Sequence, residues 1–400
     1  MAVRYRWAIL AVTIVAFMQT HLHRLGFAAL IPIFVADLGL SYAAAGTIQT
    51  AYFWTYALAQ VPVGLLTDRW GARRVMLICT TLLTLGGLAF ASSTTSAALL
   101  LSRMVVGLGA AAVWVPGMLL ITQWFPVAER GRAAGLMSAG GGIGGTLGLI
   151  LVPVLADALG WRVAYGLMAA PALLTLLLIA TIIRTRPGVA ATAPAPRAAK
   201  GSFRRVLAVR AMWPLNINVI FSYGGYFSFI TFLPSFLVRG LGLTQGQAGV
   251  VTGLVTAGTI VSWPLAGMLS DRLGRRRPVF LFSQFASLLA LLVYALVAPH
   301  MGLVTVGVTS FMTGLLVGGL ILPFVMVVDY VPRELAATAA GLTNGACFLG
   351  AMVLPIVLGR IVDVTGSFTA AFLVASAVQV VACVAALVVT EPSRDARAGL

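Results

Sequence analysis

A chain of 400 residues with 60% hydrophobic and only 9% charged residues is not a set of water-soluble domains, where about a quarter of the residues carry charge. Its outer surface has to meet lipid. The apolar runs are long and continuous rather than alternating, which argues against a β-barrel and for transmembrane helices of roughly 20 residues each. The formal charge of +16 comes from 26 Lys and Arg against 10 Asp and Glu; in a membrane protein such residues collect in cytoplasmic loops, so no nucleic-acid partner is implied.

Taken in chain order, apolar runs ended by charges or turn residues predict twelve spans, at 7–36, 45–66, 75–94, 97–123, 133–156, 163–183, 212–238, 245–269, 278–298, 302–328, 337–359 and 368–390. The first, behind Arg4 and Arg6, is too long for a signal peptide and lacks a small-x-small cleavage site. The polar stretch 184–211 holds Pro187, Pro194 and Pro196 and seven basic residues, and divides the chain into six-span halves at 1–183 and 212–400. It reads as a linker, with a short amphipathic helix expected near 202–210 on the membrane surface. Twenty-one basic residues fall on the side of the N-terminus and three (Arg162, Arg239, Arg360) on the other, while Arg24 and Arg103 lie inside spans. That bias places both termini and the linker in the cytoplasm. Cys79, Cys347 and Cys383 have neither metal-ligand spacing nor a disulfide framework and read as packing residues.

The halves repeat one another. Gly64-Leu-Leu-Thr-Asp68-Arg69-Trp-Gly71-Ala-Arg73-Arg74 after the second span is answered by Gly267-Met-Leu-Ser-Asp271-Arg272-Leu-Gly274-Arg-Arg276-Arg277 after the eighth, at an offset of 203. PVAERGRAAG at 126–135 is answered by PRELAATAAG at 332–341, and IPIFVADLGLS in the first span by LPSFLVRGLGLT in the seventh. Parallel six-span halves related by an axis along the membrane normal are a transporter plan.

Over essentially its whole length the chain resembles the major facilitator superfamily. Gly64–Arg74 is similar to the family's signature loop, with the expected second copy at 267–277, and Arg103-Met-Val-Val-Gly107-Leu-Gly109 resembles its fourth-span arginine motif. The resemblance implies an all-α membrane protein of twelve transmembrane helices in two pseudo-symmetric six-helix bundles. It also implies a secondary active transporter working by alternating access, multi-pass in the cytoplasmic (inner) membrane of a bacterium, monomeric, with no cofactor and no catalytic residues. The candidate gate residues are then Asp68, Arg69 and Arg73, their repeats Asp271, Arg272 and Arg276, and Glu129, Arg130 and Asp329; the same charges also serve as topological anchors. Trp124–Ala133, FWTYALAQVPVGLLTDRWGARR at 53–74 and Gly160-Trp161-Arg162 look like the organic-anion branches, the anion:cation symporter and monocarboxylate groups. There Arg24 falls on the arginine that holds the substrate's anionic group.

Arg24 stands inside a span with no acidic neighbour nearby in sequence. An intramembrane arginine is costly and stays charged, and its planar fork suits a carboxylate; a cation paired with another helix is the alternative. His21 shares Arg24's helical face. His21 and His23 are coupling candidates for a co-transported proton because histidine titrates near neutral pH, against a plain packing role. The acids that proton-linked relatives place at the positions of His23 and Ala110 are missing. As an H-x-H the two histidines point about 200° apart on a helix, so no metal site is expected. Arg103 is either a coupling residue or a structural hydrogen-bonding one. Polar stripes at Gln49, Tyr52, Tyr56 and Gln60, at Asn218, Ser222 and Tyr226, at Thr252, Thr256, Thr259 and Trp263, and at Asn344 supply candidate cavity residues. Of these, Gln49, Tyr52, Tyr56, Tyr226 and Asn344 join Arg24 and His21 as substrate-binding candidates. The second half has no buried cation, which favours a small organic monoanion of the monocarboxylate type. A drug or metabolite exporter is the alternative; the glycine–proline signature of drug:proton antiporters is broken, since Gly145 is followed by Thr146 and the next proline is Pro153. A membrane enzyme lacks a cluster of catalytic side chains, and a channel does not need duplicated signature loops.

Overall fold

The computed structural model describes residues 2–184, 202–332 and 335–390. The linker stretch 185–201, Arg333, Arg394, Arg397 and the side chain of Arg4, all used above, lie outside the described residues. The described residues are almost wholly helical. The chain runs through α1 (Ala2–Leu38), α2 (Tyr42–Trp70), α3 (Ala72–Ala91), α4 (Ser96–Ala110), α5 (Trp114–Trp124), α6 (Val127–Leu159) and α7 (Trp161–Ile182). The short α8 (Ser202–Leu207) leads to α9 (Trp213–Leu241), α10 (Gln245–Leu273), α11 (Arg277–Leu296), α12 (Leu303–Leu316), α13 (Leu322–Met326), α14 (Ala336–Thr365) and α15 (Phe368–Val388).

Three expectations are adjusted. Among the described residues, eleven helical segments rather than twelve are long and apolar enough to cross a membrane. The second span, α2, is long enough at 29 residues, but its tyrosines, glutamines and terminal Asp68 and Arg69 keep it out of that set. Spans four and ten are not continuous: a turn at 111–113 separates α4 from α5, and a 3-10 segment at Val317–Ile321 separates α12 from α13. Pro116 and Pro323 stand just beyond these breaks, and a proline ring clashes with the carbonyl four residues earlier. The expected surface helix at 202–210 is shortened to Ser202–Leu207, and its Val206 is buried against Met212, Leu215 and Leu335 instead of facing lipid.

The residues divide into two compact units. The first comprises Met1–Leu40, Ala44–Ala193 and Leu243–Gly253; the second comprises Ser41–Ala43, Pro194–Gly242 and Leu254–Leu400. In the first unit, α1 and α6 form the most extensive helix contact. The glycines of span five are responsible: a Cβ at Gly144 would stand 2.0 Å from the Met18 carbonyl oxygen, and one at Gly148 2.6 Å from that of Leu22. The second unit repeats the device between α9 and α14, where a Cβ at Gly350 would stand 1.9 Å from the Ile220 carbonyl oxygen. In lipid, where water expulsion does not drive helices together, close backbone approach of this kind supplies the attraction.

Replacing Gly144 with Ala is expected to lower stability by about 1–3 kcal/mol through overpacking, while Gly131→Ala, which would touch nothing within 4 Å, leaves it unchanged. Thermal unfolding of the two variants in the same detergent tests this, and equal midpoints would refute the close-contact reading.

Candidate functional site

The break after α4 and the glycines before it bring the polar residues of the first unit together. A Cβ at Gly107 would stand 2.3 Å from the Tyr52 carbonyl oxygen, so α4 lies close against α2 and Arg103 reaches past it to α1. Arg103 is wholly buried. Its Nη1 donates to the His23 carbonyl at 2.7 Å and to the Tyr165 hydroxyl at 3.2 Å, and its Nη2 donates to Gln49 Oε1 at 2.9 Å and to the Arg24 carbonyl at 3.4 Å. Gln49 in turn donates through Nε2 to the Arg24 carbonyl at 3.3 Å. Arg103 and Gln49 therefore form a brace between α1, α2, α4 and α7, and the Gln49 amide is engaged there at both ends.

The side chain of Arg24 points away from that brace into an aromatic enclosure. Its guanidinium lies over Tyr56 at 4.9 Å, Tyr52 at 5.4 Å and Phe53 at 5.8 Å from the ring centres. Tyr52 and Tyr56 are themselves stacked, with planes 12° apart. Nε donates to the Tyr52 hydroxyl at 3.4 Å, and that hydroxyl donates to the Thr20 carbonyl at 3.3 Å. Nη1 faces His21 Nε2 at 3.3 Å. On the other side of the ring, His21 Nδ1 lies 3.2 Å from the Phe17 carbonyl. A carbonyl only accepts, so Nδ1 carries the hydrogen and Nε2 offers its lone pair to Arg24. The partners of Arg24 are thus neutral, and the residue is 8% exposed.

His23 is placed apart from His21. It is fully buried, with its ring edge-on to Tyr165 at 5.7 Å and Nε2 3.5 Å from the amide nitrogen of Gln19, which also donates to the Met168 carbonyl at 2.7 Å. Among the described residues no group of three or more His, Cys, Asp or Glu is gathered as a metal site. Gln19, Tyr165 and Phe53 were not singled out in the sequence; their three- and four-residue spacings from His23 and Tyr56 were the available signal for Gln19 and Phe53.

The second unit is neutral at its centre. Asn218 donates to the Ala382 carbonyl at 2.8 Å, Gln284 to Asn218 Oδ1 at 3.4 Å, and Gln379 to Gln284 Oε1 at 3.0 Å. Tyr226, which the repeat aligns with Arg24, lines a small cavity of about 30 Å³ with Ser222, Ser287, Thr313 and Gln379, room for one or two waters. Asn344 is exposed, and its neighbour Thr343 is the residue buried on α9, donating to Asn216 Oδ1 at 2.9 Å.

The gate candidates divide. Asp68, Arg69, Asp271 and Arg272 are exposed at helix ends. Arg73 donates to the Ala180 carbonyl, Arg276 pairs with Asp329 at 2.5 Å, Arg6 pairs with Glu129 at 2.9 Å, and Arg130 closes the end of α5 through the carbonyls of Phe125 and Thr122. Each of these contacts stays inside its own unit.

The family model described as Major Facilitator Superfamily matches residues 9–246 and again residues 215–399. The "Probable sulfoacetate transporter SauU" of Cupriavidus necator is 27% identical, with 99% of this chain and 97% of that protein covered. The "Hexuronate transporter" of Bacillus subtilis is 25% identical, with 93% and 92% covered. Among solved structures, the nucleoside transporter NupG superposes with a TM-score of 0.81 over 96% of this chain and all of that one, at 15% identity, which speaks to the fold.

Gln49→Leu leaves Arg103 Nη2 without its side-chain acceptor and is expected to cost about 1–3 kcal/mol, read as a lower unfolding midpoint in detergent. An unchanged midpoint would remove Gln49 from the brace.

Proposed function

Because the chain belongs to the major facilitator superfamily, whose curated relatives here are transporters of small organic anions, we propose that it carries a small organic monoanion across the cytoplasmic membrane of a bacterium by alternating access, with both termini in the cytoplasm. The observation that carries this reading is Arg24: a permanent cation in the middle of a span, nearly buried, enclosed by aromatic rings and held only by neutral partners. Such a charge is expensive in hydrocarbon and is stabilised by an anion whose oxygens match the guanidinium fork. Tyr52 and Tyr56 fix its plane, and Phe53 closes the far face. The first unit supplies the charge and the second supplies amides and hydroxyls, so one negative charge on the substrate is balanced. The sulfoacetate and hexuronate relatives support an acidic organic substrate.

His21 is the proposed partner for a coupled proton. While Arg24 donates to its Nε2, protonation there sets two positive charges 3.3 Å apart. An anion seated on Arg24 neutralises that repulsion, so proton and substrate favour each other's binding. His23, buried on the opposite face, is read as a packing residue.

Arg24→Lys keeps the charge and loses the fork; it is expected to weaken the binding of sulfoacetate, tested beside galacturonate and nitrate as probes, by roughly ten- to a hundredfold. Arg24→Gln abolishes uptake into proteoliposomes with the protein still folded. Near-parental uptake by the Gln variant would overturn the anion site. His21→Gln is expected to retain substrate exchange while losing acceleration by an inward proton gradient; gradient-driven uptake that survives the change assigns the proton elsewhere.

A further inference from the structure

The repeat carries one element that the signature loops do not account for. Near the end of α6 stands Asp157-Ala-Leu-Gly160, and near the end of α14 stands Asp363-Val-Thr-Gly366, 206 residues later. Gly160 and Gly366 both turn the chain out of the helix at positive φ, 81° and 66°, a conformation that favours glycine. That leaves each aspartate one turn from the helix end.

The two carboxylates do the same thing. Asp363 accepts from two successive backbone N–H groups at the start of α2: Oδ1 from Tyr42 at 2.7 Å and Oδ2 from Ala43 at 2.8 Å. Asp157 Oδ2 accepts from the Gly246 N–H at the start of α10, at 3.1 Å. Ala43 and Gly246 correspond at the offset of 203 that relates the signature loops. The first N–H groups of a helix have no intrahelical partner and carry the positive end of its dipole, so each carboxylate caps a helix to which its own helix is not joined by a loop. The contacts are close along the backbone. A Cβ at Gly359 would stand 2.4 Å from the Tyr42 carbonyl oxygen, and one at Gly249 2.4 Å from that of Leu149. Arg239 lies over the Tyr42 ring at 5.4 Å and Phe368 meets its edge at 5.2 Å.

The unit boundaries say what such a cap controls. The first turn of α2 belongs with the second unit and the rest of α2 with the first; the start of α10 belongs with the first unit and the rest with the second. A helix whose tip is gripped in one unit while its body moves with the other links their positions.

The geometry points to Asp157 and Asp363 as a repeat-related pair of gating residues. Each carboxylate clips the N-terminus of α10 or α2 in this conformation, and both clips open when the ends of the helices opposite the signature loops separate during transport. The assignment rests on the alternating-access reading above. It differs from the gate residues the sequence nominated, which lie at the other ends of these helices.

Spin labels read the clips without any substrate, so failure of the anion assignment does not affect the outcome. The full-length protein in lipid nanodiscs is labelled at Ser41→Cys with Thr365→Cys, or at Thr244→Cys with Leu159→Cys; the three native cysteines are buried. Pulsed electron–electron distances are then compared with and without Asp363→Ala and Asp157→Ala. The expected result is that each Ala variant raises the ratio of the separated to the short-distance population at its own pair, on the order of tenfold for loss of a charged helix cap. The Asn variants, which keep one acceptor oxygen, lie between. Circular dichroism and elution volume confirm that the proteins remain folded. Distance distributions that superimpose on the parent's at both pairs would overturn the proposal.

Discussion

Inside a bilayer every polar group has to find its partner within the protein, and two guanidinium groups in one helical unit make that demand severe. Arg103 meets it by spending its donors on the carbonyls of His23 and Arg24, the Gln49 amide and the Tyr165 hydroxyl. None of these is charged, so the positive charge of Arg103 is dispersed but not cancelled. Arg24, next to it on α1, meets only neutral partners as well. The result is a region of uncompensated positive potential inside the first unit, held in place by hydrogen bonds whose loss would leave donors stranded in a low dielectric. The close seams against α2 and α6, the break before Pro116 and the tyrosine stack all arrange side chains around that region.

Comparison of the two units shows how a duplicated frame diverges. The seams correspond: Gly144 on the Met18 carbonyl in one unit, Gly350 on the Ile220 carbonyl in the other. The polar contents do not. Where the first unit has arginines, the second has Asn218, Gln284 and Gln379 bonded to one another. Amides satisfy each other as donor and acceptor and leave no net charge. Backbone-to-backbone packing tolerates little change, since any added carbon collides. A side chain at a cavity wall is free to change so long as its hydrogen bonds are met.

The parts of this arrangement that a sequence displays are those set by spacing along one helix. Twelve apolar runs, the proline-bearing linker and the three-residue step from His21 to Arg24 follow from hydrophobicity and the helical period alone. The Arg103 brace was not legible, because two of its acceptors are backbone carbonyls, which every residue possesses. Its reach depends on how closely α4 approaches α2 at Gly107, a fact about two helices rather than one. The exposure of Asn344 and the burial of Thr343 show the same limit: a rotation of 100° about α14 exchanges them, and the neighbour that fixes that rotation is Asn216 on another helix. Arg73 and Arg276 were assigned as gates from their loop, yet they bond to Ala180 and Asp329 across folds of the chain that the loop does not reveal.

The seam between α1 and α6 has a mechanical consequence. Side chains at a helix interface ordinarily act as compliant packing, changing rotamer to absorb small shifts. Along this seam backbone meets backbone, and at Gly141 an added carbon would already press on the rings of Phe17 and His21 at 2.7 and 3.1 Å. There is no slack to take up. A displacement of α1 at the level of Arg24 is passed to α6 undiminished, and the two helices respond as a single stiff member.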